Sequence, residues 1–226
     1  QWRFVLAACL MFFGSLIGFA LLVYLYPELI YSLIPAEQVS EMQSMYDPDA
    51  GHLGRLAERA ASDDWAMFGY YIMNNIGIAF QTYASGLLLG LGSLFFLLYN
   101  GLLIGAVAGY LTAIGYGQSF WPFVVGHGAF ELSAIVLAGG AGLQLGWALL
   151  APGRQSRAQA LRAAARDSVH LMGGVLFMLL IAAFIEAYWS SMTWPSVWLK
   201  YLIGPLLWAL VGAWLLLAGR SAHAPE

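Results

Sequence analysis

The run WPFVVGHGAFELSAIVLAGGAGLQLGWALL, Trp121–Leu150, decides the fold. About 20 apolar residues are enough to cross a bilayer as a helix. This run is close to 30 residues long, so it spans with a tilt, a kink or an extension into water. Pro122 suits a helix start, where its missing N–H is not needed. The run nevertheless carries an imidazole, His127, and a carboxylate, Glu131. Why a greasy helix holds these two groups is the functional question.

The rest of the chain agrees with a membrane reading. Of 226 residues, 61% are hydrophobic and 9% charged, against roughly a quarter charged in a soluble domain. The net charge is -3, and no basic patch points to nucleic acid. Cys9 is the single cysteine, so no internal disulfide can form. The chain opens on Gln1 rather than methionine, so some sequence is expected to precede it. The first apolar segment is too long for a cleaved signal and reads as a span.

The expectation is an all-α polytopic protein, residues 1–226 forming one integral membrane domain of about six transmembrane helices. The first span covers about Trp2 to Tyr26 and stops at Pro27. An outer section, 27–64, reads as short amphipathic helices at the membrane surface, broken at Asp47-Pro48. A second span covers about Asn75 to Leu98. Tyr99-Asn100-Gly101 reads as a tight turn, and a third span runs to about Gly115. Trp121 to Leu150 is the fourth. Residues 151–168 form a cytoplasmic loop with its own short helix. Val169 to Trp189 and Val197 to Leu217 complete the set.

Basic residues favour the cytoplasmic side. An inward N-terminus places Arg3, Arg154, Arg157, Arg162, Arg166 and Arg220 inside, leaving Arg55, Arg59 and Lys200 outside with the acidic section that includes Glu58. N-in and C-in, in a bacterial inner membrane, is therefore expected. Trp65, Trp121, Trp189, Trp194 and Trp198 then cluster near the outer boundary, as an interfacial belt requires.

Small residues recur at helical spacing: Gly86 and Gly90, then Gly101, Gly105 and Gly109, then Gly142 and Gly146. Four-residue spacing lets two helix backbones touch, the way spans associate in lipid. The short turn read at residues 99–101 suggests that the 101–109 ridge meets the 86–90 pair.

His127 and Glu131 are four apart and share a helix face. At 1.5 Å per residue they lie roughly 9 and 15 Å inside the outer boundary, with Glu186 about 5 Å from it. Asn74 and Asn75 open the second span from the same side. A cluster of His127, Glu131, Glu186 and Asn74 or Asn75 follows, since a lone carboxylate there costs at least about 2.5–3.5 kcal/mol. It reads as a polar clamp, a proton or solute path, or a divalent-metal site with His127, Glu131 and Glu186 as ligands. No catalytic nucleophile stands beside His127. No cofactor is called for otherwise. His170 begins the fifth span on the other side, and His52 and His223 read as exposed.

Three segments carry a family resemblance: NNIGIAFQTYASGLLLGLGSLFFLLYNGLLIGAV (Asn74–Val107), GHGAFELSAIVLAGGAGLQLG (Gly126–Gly146) and LIAAFIEAYW (Leu180–Trp189). Together they resemble the stage II sporulation protein M family of bacterial integral membrane proteins. The resemblance implies a membrane component of a peptidoglycan-remodelling machine, working with cell-wall-degrading partners at the septal membrane. Many relatives belong to bacteria that do not sporulate, so the family transfers more safely than the sporulation role. The first expectation is a non-enzymatic scaffold for cell-envelope proteins. The second is a transporter or lipid-handling protein using the His/Glu cluster, and the third an intramembrane metalloenzyme. Implied partners are the bilayer, other envelope proteins and a second copy of the chain, with no nucleic acid. A scaffold predicts a dry, paired cluster. A transporter predicts a cavity leading to it, and an enzyme a metal with an open position.

Overall fold

A computed structural model describes residues 2–49 and 61–217. Arg55, Glu58, Arg59, His52, Arg220 and His223 lie outside the described residues. Helix α1 spans Trp2–Leu25; a 3-10 turn, Pro27–Leu29, leads into the short α2, Ile30–Leu33, and α3, Ala36–Tyr46. Then come α4 (Ala61–Ala84), α5 (Leu91–Ala113), α6 (Gly117–Leu150), α7 (Arg157–Phe184) and α8 (Val197–Leu217). A π-helical segment, Ile185–Ser190, extends α7. The described residues form no strand.

Five stretches are long and apolar enough to cross a membrane: α1, α5, α6, α8 and Arg157–Ser190, which joins α7 to the π segment. The sixth crossing is α4, whose polar residues keep its hydropathy lower. Geometry requires it. Gly101, Gly105 and Gly109 of α5 lie against Phe12, Leu16 and Ala20 of α1 in ascending register, so α1 and α5 run parallel. The chain must return between them. Helix α4 does so beside α7, with Tyr83 hydrogen-bonded to Ser168 at 2.7 Å and Tyr71 in one cluster with Ala183 and Ala187.

Boundaries differ from the sequence reading in three places, one being the second span, which begins at Ala61 rather than near Asn75. Tyr99-Asn100-Gly101 is not a turn but the middle of α5. Inside an uninterrupted apolar run, Asn100 satisfies its amide on its own helix, Nδ2 donating to the Phe96 carbonyl at 2.7 Å. The reversal lies ten residues earlier, at Ser85–Gly90, where Leu89 and Gly90 take φ of 56° and 84°. Glycine tolerates that left-handed backbone. The third correction is to the loop at 151–168, which is short. Helix α7 starts at Arg157, capped by Ser156, which exchanges hydrogen bonds with Gln159 in a capping box.

Helix α6 is the hub, packed by α1, α4, α5, α7 and α8. Its 34 residues would measure about 51 Å at 1.5 Å per residue, longer than the roughly 30 Å hydrocarbon layer. Small residues let its neighbours approach. A Cβ at Gly142 would strike Ser93 of α5 and the backbone of α4, and one at Gly140 would strike Val5 of α1. Gly86 abuts Gly142, and Gly90 abuts Gly146. The ridge of Gly101, Gly105 and Gly109 therefore meets α1 rather than the expected 86–90 pair. The expected partner rested on the misplaced turn.

The outer section is drawn onto the bundle. Ile30, Ile34, Val39 and Tyr46 are buried against α5 and the start of α6. Tyr46 meets Phe120 and Phe123 edge-on at 5.3 and 5.7 Å. Gln43 Nε2 donates to the Tyr110 hydroxyl at 2.7 Å.

Contacts along the bundle put both described ends on one side. Phe4 meets Trp147 near the end of α6, and Trp214 near the end of α8 approaches Gly174 in the middle of α7, which α8 follows antiparallel. That side holds Arg3, Arg154, Arg157, Arg162 and Arg166, and the other holds Glu28, Glu37, Glu41, Asp47, Asp49, Asp63 and Asp64.

Candidate functional site

Three of the five polar residues singled out from the sequence meet. His127, Glu131 and Glu186 each present a donor atom, all within 4.8 Å of one another. His127 Nε2 stands 3.9 Å from Glu131 Oε2. One helical turn on α6 sets that pair. Glu186 arrives from the π segment, whose wider turn shifts residues around the axis relative to a regular helix. Gly126 lets this segment close in: its missing Cβ would meet the side chains of Ile185 and Trp189.

The histidine is held on its other edge. Its Nδ1 is 3.1 Å from Ser190 Oγ, and Phe123 packs edge-on against the ring at 5.6 Å. The ring is 6% exposed, so its orientation is set by these neighbours. The serine is anchored in turn, because Lys200 Nζ donates to the carbonyls of Ser190 and Met192 at 2.8 and 2.7 Å. Lys200 is buried at 2% exposure. It stands in the first turn of α8 with its nitrogen turned into the protein.

Asn74 and Asn75 are in the interior of α4 rather than at its start. Asn74 Nδ2 donates to Asn75 Oδ1 at 3.0 Å, and the buried Asn75 Nδ2 has no hydrogen-bond partner. The amide pair closes on itself rather than on the histidine and glutamates. Gly86, Gly90, Gly101, Gly105, Gly109, Gly142 and Gly146 all lie at helix contacts away from this cluster.

Sequence reading missed Ser190 and Lys200. Ser190 gives no signal alone, being one serine in a boundary segment. Lys200 carried one: in SVWLKYLIGPLL it lies within an apolar run rather than in a polar flank.

The three residues line a partly open cavity of about 500 Å3. Leu16 of α1, Leu103, Ile104 and Val107 of α5, and Trp208 of α8 supply much of its apolar wall. Ile34 and Tyr46 of the outer section also line it. Phe13 and Trp208 meet at 6.2 Å, bridging α1 and α8 at its edge. Trp121 and Trp208, which also line it, are each more than a third exposed. Gly128 lies on the wall with nothing within 4 Å of where a Cβ would stand. Chemically, this is an apolar chamber with one polar corner, able to accept lone-pair partners, a proton or a cation.

Comparison with known proteins returns one family. Residues 6–191 match the model described as Stage II sporulation protein M. No curated protein and no solved structure matches.

Proposed function

Because the chain belongs to the stage II sporulation protein M family, we propose that it is a membrane component which holds an amphiphilic lipid between its helices, in the half of the bilayer near the outer section. The observation carrying this reading is the apolar cavity of about 500 Å3 with His127, Glu131 and Glu186 on its wall. A clamp that only locks helices together needs no such space. An amphiphile does: its chains would lie along Leu103, Ile104 and Trp208, and its polar end would face the imidazole and carboxyls. The volume falls within the range of roughly 300–1,000 Å3 typical of small-molecule sites. The family role in envelope remodelling supports a lipid as occupant, and the same protein could bring envelope partners to it.

The test fills the chamber. Gly128→Leu adds a side chain where a Cβ meets nothing, so folding should survive. Chain purified in mild detergent should carry about one lipid per copy, counted by native mass spectrometry. The Gly128→Leu protein should carry at least tenfold less while melting within a few degrees of the parent. A parent without bound lipid, or equal lipid in both proteins, refutes the reading.

A further inference from the structure

We propose that His127, Glu131 and Glu186 bind a first-row divalent cation and present it to the cavity. The inference shares the chamber of the lipid reading but does not depend on it.

Three observations carry it. First, the donor set is one imidazole and two carboxylates, from two different helices, with their atoms within 4.8 Å. Around a zinc ion with bonds of about 2.0–2.2 Å, tetrahedral ligands stand roughly 3.4 Å apart. The widest pair must close by somewhat more than about 1 Å, which rotation of a glutamate side chain supplies. Second, His127 is 6% exposed, and its Nε2 faces Glu131 Oε2 at 3.9 Å, beyond hydrogen-bond length. A histidine nitrogen that faces a carboxylate oxygen at this distance leaves room for an ion between them. Third, the histidine has the outer support that metal-binding imidazoles have. Ser190 Oγ lies 3.1 Å from Nδ1. With the proton on Nδ1 and donated to Ser190, the Nε2 lone pair faces the carboxyls. Lys200 holds the Ser190 carbonyl at 2.8 Å, fixing the serine itself.

Imidazole with carboxylates suits zinc, iron or manganese better than calcium or magnesium. Three protein ligands leave a coordination position open, as in sites where an ion engages a further molecule. Here that position faces the chamber. Ser190 and Lys200 are positioning residues, since they act on the ion only through His127.

Full-length untagged chain in detergent is stripped with chelator, titrated with Zn2+, desalted and analysed for metal. One Zn2+ per chain is expected. Glu131→Gln and Glu186→Gln, which preserve shape, should each weaken binding at least tenfold. Ser190→Ala should weaken it by about tenfold, the usual effect of losing such a support. X-ray absorption on the loaded wild type reads the ligands without any variant, and should show one imidazole among oxygen ligands. Absence of stoichiometric Zn2+, unchanged affinity in both Gln variants, or a shell with no imidazole or with two overturns the proposal. Lipid counted on the same samples separates the two readings. Lipid without metal overturns only this inference, and metal without lipid overturns only the reading above.

Discussion

At the scale of single residues, the site depends on a short chain of contacts ending at Lys200. An ammonium buried at 2% exposure is costly unless its hydrogens are used. Here two carbonyls at the end of the π segment accept them. Hydrogen bonds to charged groups are worth about 1.5–3 kcal/mol. Lys200→Met keeps the bulk but orphans both carbonyls, so it should destabilise the protein by about 2 kcal/mol. Thermal unfolding in detergent should show a fall of several degrees. If the variant melts with the parent, Lys200 does not anchor this segment. The residue also shows a limit of charge counting. A basic residue counted to the outer side need not face water: the Lys200 nitrogen is turned inward, where the end of the π segment offers bare carbonyls.

At the scale of helices, the glycines separate into those that touch and those that do not. A Cβ at Gly105 would land on the Leu16 carbonyl of α1, which is backbone and cannot swing away. A Cβ at Gly18 of α1 meets nothing within 4 Å. Gly105→Ala should force α1 from α5 and cost about 1–3 kcal/mol, as overpacking does. Gly18→Ala should be neutral or stabilising by up to about 1 kcal/mol through helix propensity. Comparing the two melting temperatures tests the parallel α1–α5 contact. Equal behaviour would place Gly105 in open space. The spacing of Gly101, Gly105 and Gly109 was legible in the sequence as a contact ridge. Its partner was not, because spacing marks a face and says nothing of which helix covers it.

At the scale of the whole molecule, Arg3, Arg154, Arg157, Arg162 and Arg166 gather at one end of the bundle, with Asp167 beside them, and Glu28, Glu37, Glu41, Asp47, Asp49, Asp63 and Asp64 gather at the other. We propose that the basic end is cytoplasmic, following the charge rule. In a background lacking Cys9, Glu41→Cys should react with an impermeant thiol reagent in intact cells, and Gln155→Cys should not. Both positions are exposed. The reverse pattern would invert the protein in the membrane.

The sequence by itself determined the membrane class and the family. Both follow from local properties: hydropathy and motif order. It also located His127, Glu131 and Glu186 well enough to expect them together, because costly groups in an apolar layer seek one another. It could not see Asn74 and Asn75 turning to each other, or Ser190 and Lys200 behind the histidine, since these depend on how α4, α8 and the π segment are rotated. Nor could it place the reversal at Ser85–Gly90, where packing of Gly86 and Gly90 on α6 outweighs the turn tendency of Asn100-Gly101. The cavity belongs wholly to the tertiary structure. A void forms where surfaces from α1, α5, α6 and α8 fail to meet, and no single helix encodes that gap.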